Sequence, residues 1–145
     1  VNFVMAGDGH MFGELVDLSC QFGLQDNVIF AGKIGSREVK TLYEQADCFV
    51  MPSVSEPFGL VALEAIAQGT PVILSRQSGA AEVIEDCFRV DFWDTDMMAD
   101  CVLTVLREES LAHQLRSYAP RVLEKLTWQN QASHVQSLYN NLITC

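Results

Sequence analysis

Two carboxylates, Glu56 and Glu64, stand eight positions apart around the run Pro57-Phe58-Gly59-Leu60. An apolar stretch at 48–51 feeds this polar corner through Pro52 and Ser53, and residues 60–67 beyond it are rich in Leu and Ala with no breaker until Gly69. The pattern reads as a buried strand, a loop and a helix. A helix start exposes unpaired N–H groups at the positive end of the helix dipole, which suits an anion, and a glycine there lets a ligand come close to the backbone. A phosphate is therefore expected at the amides of Phe58, Gly59 and Leu60. A carboxylate has little to offer a phosphate, but it accepts hydrogen bonds from sugar hydroxyls. Glu56 before the turn and Glu64 on the helix are thus read as holding two different sugars on either side of a diphosphate. Ser53 either donates to a phosphate or caps the turn.

The elements that must position this corner follow from the rest of the chain. Residues 2–6 form a short apolar run that breaks at Gly7-Asp8-Gly9, and a helical pattern follows with Leu15, Leu18, Cys20 and Phe22. Gly7 and Gly9 either make a tight turn or admit a nucleotide; Gly13 is misplaced for a dinucleotide fingerprint. A second strand at 27–31 ends in Gly32-Lys33-Ile34-Gly35. The next helix carries Ser36 as cap, with Val39, Leu42, Tyr43 and Ala46 on one face. Strands are expected again at 72–74 and 87–92. Asp94 then caps a helix bearing Met98, Val102 and Val105. A second terminal helix carries Leu111, Leu115, Tyr118 and Val122, interrupted by Pro120. A third opens at Thr127-Trp128, with Ala132, Val135, Tyr139 and Leu142 in register. These three stripes are read as facing a core.

The architecture expected is α/β: a doubly wound, mostly parallel Rossmann-like sheet with helices on both faces. Gly7, Gly32, Ser53 and Glu56 all fall at the carboxyl ends of its strands, where such sheets bind ligands. At 145 residues and 49% hydrophobic, one domain with a proper core is expected. No apolar run is long enough to span a bilayer, and a soluble, cytoplasmic protein is expected. A net charge of −10 disfavours nucleic acid and anionic membrane surfaces as partners. Cys20, Cys48, Cys87, Cys101 and Cys145 are widely spaced, with no C-x-x-C and no His at ligand spacing, so neither a disulfide framework nor a zinc site is expected. His10, His113 and His134 lack acidic or Cys partners at productive spacing and are not read as a general base. Val1 already stands inside an apolar strand with no lead-in, so a piece of a longer protein is expected.

Glu56, seven residues and Glu64, with Pro-Phe-Gly-Leu directly after the first Glu, resembles the E-x7-E signature of retaining glycosyltransferases with the GT-B fold, family four in particular. Residues 4–9, 28–32, Ala46-Asp47, Pro52-Ser53, 65–72 and 79–84 fall in the order that family shows. The resemblance implies the C-terminal, donor-binding half of an enzyme that transfers a hexose from a nucleotide diphosphate sugar, with retention, to a sugar or lipid-linked acceptor held by an N-terminal half that this chain lacks. It implies Glu56 as the catalytic residue that orients the donor sugar and Glu64 as the ribose clamp. Gly32, Lys33 and Ile34 become neighbours of the base or ribose, and Lys33 reads equally as an exposed loop lysine. No metal or other cofactor is implied. The family's Arg and Lys that contact the diphosphate lie upstream of the segment matching Val1. Ser78-Gly79 to Ile84 is similar to the family's Gly-Gly-x-x-Glu turn with one glycine kept, and Glu82 reads as a helix-turn carboxylate. Residues 127–143 resemble the terminal helix that crosses back to the N-terminal domain, whose apolar face would self-associate where that domain is absent. Two other readings stand beside this one: a nucleotide-sugar-binding module without turnover, and another GT-B enzyme such as a sugar epimerase.

Overall fold

A computed structural model describes residues 1–143. The chain divides into two compact units, residues 1–41 and residues from 42 onward. In the first, β1 (Phe3–Ala6), α1 (Phe12–Gln21) and β2 (Val28–Gly32) form a β-α-β unit; α2 (Ser36–Gln45) spans the boundary, and Tyr43 at its end belongs to the second unit. β1 and β2 pair in parallel from Phe3 opposite Val28, with a register shift between Met5 and Ala6. The second unit contains β3 (Phe49–Met51), α3 (Leu60–Ala67), β4 (Val72–Ser75), α4 (Ala80–Val83), β5 (Phe88–Val90), α5 (Thr95–Arg107), α6 (Glu109–Lys125) and α7 (Trp128–Ile143). Its strands form a parallel sheet in the order β3-β4-β5.

β4 is the axis of the second unit, and every residue of it is buried. Val72, Ile73 and Leu74 form the continuous apolar run that a parallel strand covered on both faces requires. Ile73 packs with Val90 and Cys101, joined by Val50, Phe88, Met98 and Val102, so α5 closes one side of the sheet. Asp94 caps α5 as expected, its carboxylate accepting the Met97 N–H at 3.0 Å; such caps contribute about 1 kcal/mol. α3 buries Ala62, Ala65 and Ile66 and leaves Leu60, Val61 and Glu64 exposed. Thr70, buried just after α3, donates to the Tyr43 carbonyl at 2.6 Å and ties the end of α2 to the start of β4.

Two terminal-helix expectations are corrected. Pro120 does not break α6, which continues to Lys125 because Ala112, Ala119 and Val122 anchor it on both sides of an exposed proline. α7 buries no residue at all: Trp128 is 88% exposed and Leu142 75%, so its stripe faces no core here. Among the described residues no helix is long and apolar enough to cross a membrane, and no group of three or more His, Cys, Asp or Glu is arranged to hold a metal ion. Cys20 is exposed, Cys48 and Cys87 are half-buried and Cys101 is buried; Cys145 lies outside the described residues.

Burial first, then Asp47 and Cys101, pushes the Cys48 thiol up to about 12 from its ordinary 9.0. The folded protein keeps this proton over a range in which the unfolded chain has lost it. The stability it contributes is therefore complete below pH 9 and declines as the pH rises from 9 through 12. Urea midpoints measured across this range should fall with pH, and Cys48→Ala should flatten the fall; equal slopes for the two proteins would contradict it.

Candidate functional site

The corner carrying the two glutamates is built on the β3–β4 ladder. Met51 is registered on Leu74, and then the two chains part. They meet again at a single parallel bridge between Glu56 and Ser78. Two further bonds join the loops leaving the strands: the Ser75 hydroxyl donates to the Ser53 carbonyl at 2.6 Å, and the Gly79 N–H donates to the Glu56 carbonyl at 2.9 Å. Ser75 and Ser78 are almost wholly buried, so these contacts lie out of water.

Within the first loop, Glu56 folds back on its own turn. Its Oε1 accepts the Gly59 N–H at 3.0 Å and the Phe58 N–H at 3.3 Å. Two of the three amides expected to meet a phosphate are thus engaged by a carboxylate of the same loop. Leu60 and Val61 open α3, where the helix itself supplies no acceptor for their N–H groups. The side chains around them are unusually exposed for apolar residues: Val54 and Leu60 at 64%, Phe58 at 42%. Glu64 lies exposed one turn beyond Leu60 on the same helix face. Its charge helps raise the Tyr43 phenol above its ordinary range, after the larger effect of burial. Ser53 is half-buried and anchors the loop through its carbonyl.

Gly59 is also fixed by the protein around it. Its φ of +78° is a left-handed conformation that favours glycine, and a Cβ there would lie 2.9 Å from both Ala80 Cβ and Met51 Cε and 3.2 Å from Ser78 Oγ. The space a Cβ would take is filled by protein, so the glycine lets the neighbouring loop come close on that side.

The first unit holds the remaining expected residues. Gly7 follows β1 and donates its N–H to the carbonyl of Gly32, the last residue of β2, at 2.8 Å. Both have positive φ, and nothing stands within 4 Å of a Cβ built on either, so the ends of these strands are open. Lys33 is exposed and Ile34 half-buried in the turn before α2.

Arg89 escaped the sequence reading. It lies in β5 but donates to the carbonyls of Ala81 (2.9 Å), Ile84 (2.7 Å) and Glu85 (3.3 Å), satisfying the end of α4 and the turn after it. The signal available was an arginine inside an apolar strand following a very short helix. Ser75 was likewise missed, because its partner is 22 residues away.

The fold agrees with the comparisons to known proteins. Residues 1–122 match the family of glycosyl transferases group 1, and the chain belongs to that family. An uncharacterized glycosyltransferase of Methanocaldococcus jannaschii is 38% identical over 141 residues, covering 94% of this chain and 36% of the relative. A D-inositol 3-phosphate glycosyltransferase of Corynebacterium urealyticum is 33% identical over 133 residues, covering 90% and 31%. Among solved structures, sucrose-phosphate synthase from Thermosynechococcus elongatus superposes with a TM-score of 0.79 at 31% identity, covering 97% of this chain and 38% of that one. The fold is that of a GT-B glycosyltransferase C-terminal domain. The chain spans about a third of the length of the curated relatives it matches.

The double demand on Gly59 gives a direct expectation. Gly59→Ala should destabilise the fold by about 2 kcal/mol or more, from left-handed strain and the clash with the facing loop. Urea denaturation measures this, and a loss below about 0.5 kcal/mol, the usual size of a surface substitution, would contradict the geometry.

Proposed function

We propose that the chain is the donor-binding domain of a retaining hexosyltransferase of family four, whose parent protein transfers a hexose from a nucleotide diphosphate sugar to a sugar or lipid-linked acceptor held by its other half. The observation that carries this reading is the pairing of the family match with a double-glutamate corner folded as strand, loop and helix start. Glu56 orients the donor sugar through its hydroxyls, and Glu64 holds the ribose. As the glycosidic bond breaks, negative charge grows on the leaving diphosphate, and the N–H groups at the start of α3 stabilise it. For the Phe58 and Gly59 amides to do so, Glu56 has to release them. Diphosphate and carboxylate compete for the same donors, and the released carboxylate is then free to accept from the sugar. Ser53 adds a donor contact from the second unit; Gly7, Gly32, Lys33 and Ile34 of the first unit are donor contacts by the resemblance alone, the last three toward base and ribose. The reaction is one of positioning and charge stabilisation, takes place in the cytoplasm and uses no metal; chelator should leave the parent's activity unchanged.

A second reading is a nucleotide-sugar-binding module without turnover, which shares the donor contacts but not the transfer. Calorimetry with UDP, GDP and ADP should find one that binds, and Glu64→Ala should weaken it by tenfold or more, the effect of losing a hydrogen-bonded charged group. Failure of all three to bind would remove both readings, and activity of the parent separates enzyme from module.

α7 carries a proposal of its own. Its exposed residues Trp128, Val135, Tyr139 and Leu142 recur on one helical face, which an acceptor-holding half covers in a longer parent and a second copy covers in the isolated chain. Sedimentation should show the isolated chain associating and Trp128→Ser with Leu142→Ser abolishing this; a monomer at all concentrations would contradict it.

A further inference from the structure

Gly79 has no conformational reason to be glycine. Its φ of −60° and ψ of −27° are ordinary right-handed helical values that any residue adopts. What it cannot accommodate is a side chain. A Cβ at Gly79 would run into the carbonyl oxygen of Pro57, and would also lie 2.8 Å from the Pro57 carbonyl carbon and 3.2 Å from Phe58 Cα. The Pro57–Phe58 peptide, immediately after Glu56, therefore rests against the bare backbone of Gly79. The Gly79 N–H donates to the Glu56 carbonyl from the same place, and the Glu56–Ser78 bridge lies beside it. At the other end of the loop the buried Ser75 hydroxyl holds the Ser53 carbonyl at 2.6 Å. Loop 53–59 is thus pinned to the end of β4 at Ser53 and to the segment after β4 at Glu56 and Pro57, so that Glu56 is itself held by the second pin.

We infer that Ser75 and Gly79 are positioning residues for the Glu56 carboxylate, fixing where along the end of the sheet it meets the donor sugar. The inference rests on the reading of Glu56 as the sugar-orienting residue, and assigns to Gly79 a role in placing protein rather than admitting ligand. A Cβ at Gly79 must displace the Pro57–Phe58 peptide or the start of α4, and both are backbone with no flexible end to yield. A misplacement of about 1 Å at a reacting group costs up to about a hundredfold in rate. Removing the Ser75 hydroxyl frees the other end of the loop without adding volume. Glu64 sits on α3, outside loop 53–59, and Ser75→Ala leaves the Pro57–Phe58 peptide in place against Gly79, so nucleoside diphosphate binding is expected to survive in that variant.

The test uses the full-length parent with Gly79→Ala, Ser75→Ala and Glu56→Ala. The probes are whichever of UDP, GDP and ADP binds, and its glucose conjugate. Both loop variants should lower kcat by about tenfold or more, while in Ser75→Ala Kd for the nucleoside diphosphate stays within about threefold of the parent. The preference for the glucose conjugate over the bare diphosphate should shrink toward that of Glu56→Ala. Parental kcat and preference in the loop variants, alongside a defective Glu56→Ala, would overturn the positioning role alone. A parental Glu56→Ala would instead overturn the donor-site reading beneath it. An equal loss of diphosphate and conjugate binding would mark the pins as merely structural. Should Gly79→Ala fail to fold, Ser75→Ala decides, since it adds no atom to the core.

Discussion

The parallel ladder between β3 and β4 parts after three registered pairs and is picked up again at Glu56 and Ser78. Everything of chemical interest in the second unit depends on that resumed contact. Loops at the carboxyl ends of parallel strands lose the ladder that ordered them, and their backbone groups need other partners or water. Here one serine hydroxyl and one glycine amide supply the partners. The glycine serves because its absent side chain leaves room for a neighbouring peptide. A loop held in this way has a defined place for its carboxylate, and preorganisation of that sort is what transition-state stabilisation by positioning requires.

Two arginines of the second unit already have protein partners: Arg89 is engaged with three carbonyls, and Arg76 stands 3.8 Å from Asp91 in a pair of little energetic weight. At the start of α3 the helix dipole supplies positive potential, which Glu56 answers through the Phe58 and Gly59 amides. A net charge of −10 says little about any one corner, because the acidic surplus is spread over the chain and its effect beyond about 10 Å is screened at ordinary salt.

Much of this was legible in the residues. α3 begins and ends where the breakers Gly59 and Gly69 predict it, and Asp94 caps α5 as its position before an amphipathic run suggests. These signals are local, and local chemistry decides them. Pro120 and α7 were misread for the opposite reason. Whether a proline ends a helix depends on how firmly the flanking turns are packed, and whether an apolar stripe is buried depends on what stands opposite it. Neither is written in the helix itself. Gly79 is the most instructive case. The sequence shows a glycine in a turn that resembles a family motif; only the fold reveals that Pro57, 22 residues earlier, lies where its side chain would be. The Ser75 anchor was hidden by the same separation.

The pinned loop is most directly tested by amide hydrogen exchange on this chain. Phe49 N–H is bonded to the Pro71 carbonyl at 2.8 Å at the start of the β3–β4 ladder, and Gly79 N–H to Glu56 at 2.9 Å beyond its end. If the loops are locked as described, the Gly79 amide exchanges with protection of the same order as Phe49, since both open only when the ladder does. Free exchange at Gly79 with Phe49 still protected would show the Glu56 loop detached from the sheet, and the account of how the corner is held would fail.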